Sequence, residues 1–230
     1  MKLSIVIPVF NEVATIGTIL DRVEQANREM EYEIIVVDDG STDGTREKLV
    51  EESELRSAIK LCFHENNRGK GAALRTGFNI ATGDIVIIQD ADLEYNPSEY
   101  SKLLIPIIAH EADVVYGSRF LGAGAHRVLN FWHYVGNKII TNMCNMISNL
   151  NLTDIEVCYK VFRKEVLDAL ELKENRFGFE VEVTLKLAKR KLRIYEVPIC
   201  YHGRDYDEGK KITWRDGVYA FWCMVKYWRG

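Results

Sequence analysis

Five short runs rich in Ile, Val and Leu recur through the first part of the chain, each separated from the next by a segment of helical spacing. This alternation restricts the fold more than any other feature. The runs are Leu3–Val9, Glu33–Val37, Ala58–Phe63, Asp84–Gln89 and Ala112–Tyr116. Nearly continuous β-branched runs read as strands buried on both faces. Between them, Glu12–Arg28 puts Ile16, Ile19, Leu20 and Val23 on one face of a helix. A second helix is expected from about Asp43, a third over Gly69–Thr82 and a fourth over Pro97–His110. Strands alternating with helices of this length predict an α/β fold, with a mostly parallel central sheet and helices on both faces.

Beyond Gly117 the pattern loosens. Ser118–Ala125 is Gly-rich and expected to be a mobile loop. Phe131–Leu152 has helical spacing, Tyr159–Phe162 reads as a short strand, Phe179–Arg190 as a helix and Leu192–Val197 as a strand. Trp214–Trp228 is the last helix. No internal repeat or linker interrupts the chain, which is therefore read as one domain, 1–230, with a C-terminal elaboration.

Three strand ends carry polar residues: Pro8-Val9-Phe10-Asn11-Glu12, Asp38-Asp39-Gly40-Ser41 and Asp90-Ala91-Asp92-Leu93-Glu94. In open α/β sheets, ligands bind outside the carboxyl ends of strands, so all three can line one crevice. Carboxylates crowded at a buried strand end raise one another's pKa unless a cation neutralises them. Asp90, Asp92 and Glu94 thus suggest a divalent ion, and an all-oxygen set favours Mg²⁺ or Mn²⁺. Asn96-Pro97-Ser98-Glu99 reads as a helix start with an N-cap, Pro at N1 and a capping-box Glu. A nucleoside diphosphate joined to a sugar suits such a crevice, with Asp39 accepting from a base N–H and the metal on the diphosphate.

Other nucleotide and metal motifs are not supported. No GxGxxG follows the first strand, and Gly69-Lys70-Gly71 lacks the spacing of a P-loop. In the acidic stretch, Tyr95 and Ser101 stand where a calcium loop needs Gly and Glu. Five scattered cysteines without a CxxC pair give neither a zinc site nor a disulfide framework.

The chain has a net charge of −4, unevenly spread. Residues 186–230 hold 11 Lys and Arg against 5 Asp and Glu, and the remainder 19 against 29. A basic tail suggests an anionic partner such as phosphate groups or a lipid headgroup surface. Nucleic acid is not expected, because the chain is acidic overall and carries no basic recognition motif. Nothing reaches about 18 consecutive apolar residues, and the first strand begins at once without a leader, so the expected location is cytoplasmic.

Taken together, Ile5–Glu12, Val36–Thr45 and Asp90–Glu94 resemble the successive motifs of family 2 glycosyltransferases, and specifically the dolichol-phosphate mannose synthase group and its bacterial relatives. The resemblance continues through Gly117-Ser118-Arg119-Phe120, Thr153-Asp154, Tyr159–Arg163 and Glu196-Val197-Pro198. It implies a GT-A fold, with 1–117 as the nucleotide-sugar half and 118–230 as the acceptor half. It further implies a GDP- or UDP-hexose donor, a divalent metal and inversion at the anomeric carbon.

By this match the donor-binding set is Pro8, Phe10, Glu12, Asp38, Asp39, Lys70, Asp90, Ala91, Asp92, Arg119 and Arg204. Asp92 and Glu94, with Asp90, would hold the metal, and Glu94 stands where the family often has Gln. Asp92, Arg119, Asp154 and Arg204 form the catalytic set. Cations are needed because the departing nucleoside diphosphate gains negative charge. Arg119 is the first candidate, then Arg127 and Arg204, the last in a basic segment, His202–Lys211, where the family carries a phosphate-contacting loop. That loop ends here in Lys210-Lys211 rather than Ser-Lys.

The preferred acceptor is a polyprenyl phosphate at the cytoplasmic membrane face, with a membrane-protein partner or a homodimer as further options. A saccharide hydroxyl is the alternative, and it would need a base such as Asp154. As plain structure, Asp154 would instead fix its own loop. A non-catalytic sugar-nucleotide-binding subunit is the remaining alternative. In the last helix Trp214, Val218, Phe221, Trp222, Val225 and Trp228 share one face, with Lys226 and Arg229 near its end. That face is expected to pack on its own domain, with a bilayer interface as the alternative and Phe131–Leu152 as a second interfacial element.

Overall fold

The structure is a computed structural model that describes residues 1–27, 30–122, 127–128, 130–203 and 214–228, the last stretch without the side chains of 214–216. Its first half follows the alternation of the sequence: β1 (Leu3–Val9), α1 (Ile16–Ala26), β2 (Tyr32–Asp38), α2 (Thr45–Leu55), β3 (Ile59–Phe63), α3 (Lys70–Ile80), β4 (Ile85–Ile88), α4 (Tyr100–Ile108) and β5 (Val114–Ser118). The second half adds α5 (Phe131–Ser148), β6 (Lys160–Arg163), α6 (Lys164–Asp168), α7 (Gly178–Lys189), β7 (Ile194–Pro198) and α8 (Trp214–Trp228).

All seven strands form one sheet in the order β3-β2-β1-β4-β6-β5-β7. Every neighbouring pair is parallel except those of β6, which runs against both β4 and β5. The reversal matters for the site. Because β6 is inverted, the residues that lead into it lie at the same sheet edge as the carboxyl ends of β1, β2, β4 and β5. The core follows from the apolar runs: Ile5, Val6, Ile7, Ile34, Val36, Ile85 and Val86 are completely buried. Gly77 lets α3 lie close on β1, since a Cβ there would overlap the Val6 side chain.

Several expected boundaries move. The first helix begins at Ile16 rather than Glu12, because Asn11 takes a left-handed conformation (φ 53°) and turns the chain. The turn is set from the next loop: Asn11 N–H donates to Ser41 Oγ, and Asn11 Oδ1 accepts from Thr42 N–H. The fourth helix opens as a 3₁₀ turn over Pro97–Glu99, with Asn96 Oδ1 accepting from Ser98 N–H. Glu99 forms no capping box. Its carboxylate instead accepts from Cys200 N–H and Lys102. The five-residue α6 has no counterpart in the expected elements, and β5 runs on into Ser118. Of the Gly-rich stretch Ser118–Ala125, residues 123–125 lie outside the described ones.

The expectation for the last helix is overturned. Its packed face consists of Ala220, Cys223, Met224 and Tyr227. The tryptophan face points outward: Val218, Trp222, Val225 and Trp228 are each more than half exposed, and only Phe221 is partly packed against the core. The Trp214 side chain and Arg229 lie outside the described residues. Among the described residues no helix is long and apolar enough to cross a membrane.

Candidate functional site

The loops at this sheet edge enclose a crevice of about 330 Å³. Its lining combines Pro8, Phe10, Glu12, Asp39, Lys70, Asp90, Ala91, Asp92, Glu94 and Arg119, which the sequence points to, with Tyr95, Glu156, Cys158, Arg176, Glu180 and Tyr201, which it does not. Asp38 and Asp154 stand behind this lining, and Arg204 with Lys210-Lys211 lies outside the described residues.

Adjacent residues of a strand point to opposite sides, and Asp38 and Asp39 show the consequence. Asp38 is fully buried and bound by Arg46 at 2.9 Å, so it fixes α2 to the end of β2. Asp39 reaches the crevice wall, yet its carboxylate already accepts from Gly69 N–H at 2.7 Å, Arg68 N–H at 3.0 Å and the His64 ring at 2.6 Å. Those bonds anchor the loop that starts α3. Gly69 sits there at φ 99°, where a Cβ would strike the Asn175 carbonyl.

The acidic stretch is held from below. Gln89 is buried, accepts from the hydroxyls of Tyr100 (2.7 Å) and Tyr159 (2.8 Å), and donates to the Asp90 carbonyl. Asp90 is paired with Lys70 Nζ at 2.8 Å. Burial opposes charge on this lysine, but Asp90, with Cys158 and Glu180 behind it, holds the ammonium well above its ordinary pKa. Asp92 Oδ1 accepts from Glu94 N–H, and Glu94 Oε2 accepts from the Tyr201 hydroxyl at 2.9 Å.

A divalent ion can be tested against this arrangement. Among the described residues no three His, Cys, Asp or Glu side chains gather around one point as a ready cage. The expectation of three converging carboxylates is therefore corrected, for Asp90 is engaged by Lys70. Asp92 and Glu94 line the crevice as carboxylate oxygen donors. One or two carboxylates, completed by substrate phosphate and water, is the usual environment of Mg²⁺, so the donor set fits.

Opposite the acidic stretch, Arg119 follows β5. Its Nε and a terminal nitrogen donate to the two Asp154 oxygens at 2.6 and 2.7 Å. Asp154 is completely buried, and Glu196 fixes its loop by accepting from the Thr153 and Asp154 N–H groups. Such a fork-to-fork pair sets the plane of the guanidinium, and Arg119 lies over the Tyr201 ring at 5.2 Å. Arg127 donates to the Gly203 carbonyl and is not among the lining residues.

Residues 156–158 close the crevice on the β6 side. Lys160 is completely buried, pairs with Glu180 and donates to the Ile155 and Val157 carbonyls, one on each side of Glu156. No motif in the sequence advertises Glu156, Glu180, Arg176 or Tyr201. The only available signal for the first was its place three residues after Thr153.

The sequence matches the family model described as glycosyl transferase family 2 over residues 4–171. It is 32% identical over 216 residues to a dolichol-phosphate mannosyltransferase of Pyrococcus furiosus, covering 91% of this chain and 59% of that protein. It is 30% identical over 212 residues to an undecaprenyl-phosphate 4-deoxy-4-formamido-L-arabinose transferase of Proteus mirabilis, covering 91% of this chain and 62% of that protein. The chain thus spans about three fifths of the length of these relatives. Its fold is similar to that of glucosyl-3-phosphoglycerate synthase from Mycobacterium tuberculosis, solved with Mn²⁺, UDP and phosphoglyceric acid, with a TM-score of 0.77 at 20% identity over 99% of this chain and 78% of that one. The mixed sheet flanked by helices is accordingly the GT-A arrangement, and the chain belongs to glycosyl transferase family 2.

Proposed function

We propose that this chain is the catalytic domain of an inverting, metal-dependent glycosyltransferase that moves a hexose from a nucleoside-diphosphate sugar to a polyprenyl phosphate. The observation that carries the reading is the order of groups across the crevice. The β1 and β2 ends offer Pro8, Glu12 and Asp39 for a nucleoside. The β4 end offers Asp92 and Glu94 for a metal-bound diphosphate, and the β5–β6 side offers Arg119 for the charge that develops as the sugar leaves. This is the order of the parts in a sugar nucleotide.

Breaking the anomeric C–O bond leaves an additional negative charge on the diphosphate. Preorganised cations stabilise that charge most where water is excluded. Asp154 holds Arg119 in one orientation for this task, and Lys70 is a second cation on the lining. A divalent ion held by Asp92 and Glu94 would neutralise the diphosphate and improve it as a leaving group.

Two observations support a lipid phosphate as acceptor. Asp154, the carboxylate considered as a base, is buried with both oxygens on Arg119, an arrangement that orients a cation and does not expose a proton acceptor. An already ionised phosphate needs no base. In addition, α5 and α8 leave rows of large apolar side chains in water, including Trp132 (79% exposed) and Met146 (84%) on α5 and Trp222 (51%) and Val225 (70%) on α8. Exposed aromatic stripes of this kind suit the boundary of a bilayer, where such an acceptor is anchored.

The test is thermal stabilisation by UDP-, GDP- and dTDP-hexoses with and without Mn²⁺, followed by transfer assays with a short polyprenyl phosphate and with a saccharide. One base is expected to stabilise the protein only with metal present, and sugar is expected to move to the phosphate alone. Metal-independent stabilisation across the panel, or transfer to the saccharide alone, contradicts the proposal.

A further inference from the structure

We infer that Glu156 is the residue that recognises the transferred hexose, through a hydrogen bond from a sugar hydroxyl to its carboxylate. The inference rests on the donor reading of the crevice and deepens it.

The first observation is position. Crossing the sheet from β2 through β1 and β4, the lining passes from the nucleoside end to the acidic stretch. The next strand is β6, and the inverted run of β6 brings Glu156 to this edge. Whatever is attached to the far phosphate of the donor therefore meets the wall that Glu156 and Glu180 line.

The second observation is an unmet hydrogen-bonding capacity. Glu156 Oε1 has no partner within the described residues, and although this oxygen is itself tucked away from water, the side chain as a whole is only partly buried and its carboxyl lines the crevice. A buried acceptor left this way costs free energy, and such a cost persists where a ligand supplies the donor. Glu180, the neighbouring carboxylate, is not in this condition because Lys160 binds it.

The third observation is rigidity. The Lys160 ammonium takes the carbonyls of Ile155 and Val157, so the backbone on both sides of Glu156 is pinned by one buried cation. The carboxyl is presented from a fixed point rather than from a free loop, which is what discrimination among hydroxyl positions needs.

The charge environment agrees. Burial, and after it Glu180 on α7, push the Glu156 carboxyl up to about 7, with Asp154 in its own loop adding to the rise. Lys160 on β6 and Arg119 after β5 act in the opposite direction, and the Cys144 thiol on α5 also faces it. Near neutral pH the group passes between an acceptor-only carboxylate and an acid, so hexose recognition through it acquires a pH dependence.

The experiment is calorimetric titration of the unaltered protein, Glu156→Gln and Glu156→Ala with UDP, GDP and their hexose conjugates in the presence of Mn²⁺. The preference for the sugar nucleotide over the bare nucleotide is expected to fall about 10- to 100-fold in Glu156→Ala, the range of one charged hydrogen bond. Affinity for the bare nucleotide should stay within about twofold. Affinity for the sugar nucleotide in the unaltered protein, taken relative to that of Glu156→Gln for the same ligand, should decline as pH falls through about 7. Three outcomes overturn the inference alone: an unchanged sugar preference in Glu156→Ala, an equal loss for nucleotide and sugar nucleotide, or unchanged donor binding with turnover lost, which would assign Glu156 to the acceptor. Failure of the unaltered protein to bind any nucleotide overturns the donor reading and the inference with it.

Discussion

Helix α1 has 11 residues and buries Ile16, Ile19, Leu20 and Val23 completely, whereas α5 has 18 residues and buries only Thr141 and Cys144. Helix α8 packs Ala220, Cys223, Met224 and Tyr227 but leaves Val218, Trp222, Val225 and Trp228 more than half exposed. In the first half, apolar faces are consumed by the sheet and polar groups by one another, as in Asp38 with Arg46 or Asp90 with Lys70. In the second half α7 is buried along most of its length, but α5 and α8 leave apolar side chains in water, and the buried Lys160–Glu180 pair stands beside the crevice. A helix face that periodicity marks as apolar therefore says nothing about what covers it. The difference separates helices whose apolar faces the sheet consumes from two whose apolar rows stay exposed.

The sharpest way to break this contrast is to show that the buried charge of the second half is dispensable. Lys160→Met removes the ammonium paired with buried Glu180 and the donor to two carbonyls. Losing one partner of a buried pair costs about 3–5 kcal/mol, and chemical denaturation should detect it. A loss below about 1 kcal/mol would mean that the pair is hydrated and the crevice wall looser than described.

On the first-half side, Gly77→Ala tests the closeness of α3 to β1. The added Cβ meets the β-branched Val6 side chain, which has little room to yield. Overpacking of this kind costs about 1–3 kcal/mol, even though Ala is the better helix former. An increase in Tm would show that the helix can move outward, and so that the first half is less tightly assembled than its burial indicates.

Glu156 lies at the seam between the halves and gives a smaller, pH-dependent effect. Its folded-state pKa is raised, so the folded protein holds this proton more tightly than the unfolded chain. The stabilising contribution is full below the ordinary carboxylate range and is lost as pH rises to about 7. Glu156→Gln, which stays neutral, should therefore gain Tm relative to the unaltered protein between pH 5 and pH 8. An equal difference at both values would mean that the carboxyl titrates normally.

Much of this was legible in the residues. The strands announce themselves as Ile and Val runs because burial on both faces leaves no room for anything else. The acidic stretch and Arg119 stand where strands end, so their meeting follows once the sheet is parallel. What the sequence hides depends on distant partners. Helix α1 starts late because Ser41 and Thr42 capture Asn11. Asp154 is indistinguishable from a base until Arg119 is seen on both its oxygens. Glu156 is noticed only because Lys160 takes the carbonyls beside it and one oxygen of its carboxyl has no partner among the described residues. Helix α6, at five residues, is too short to show any period.

The smallest effect on stability should come from the apolar rows of α5 and α8, and it sharpens the contrast most. Trp222→Ser combined with Met146→Ser alters two side chains that are mostly in water. Surface changes of this kind stay within about 0.5 kcal/mol each, so Tm should hardly move. Association with vesicles of phosphatidylethanolamine and phosphatidylglycerol should nevertheless fall severalfold in a flotation assay, because large apolar and aromatic groups supply the insertion energy at an interface. Transfer to a water-soluble short-chain acceptor should be unaffected, since neither residue lines the crevice. A large drop in Tm with unchanged flotation would reverse the comparison: the rows would then belong to the fold, as the faces of α1 do, and the route from this domain to a lipid acceptor would have to run through another part of its surface.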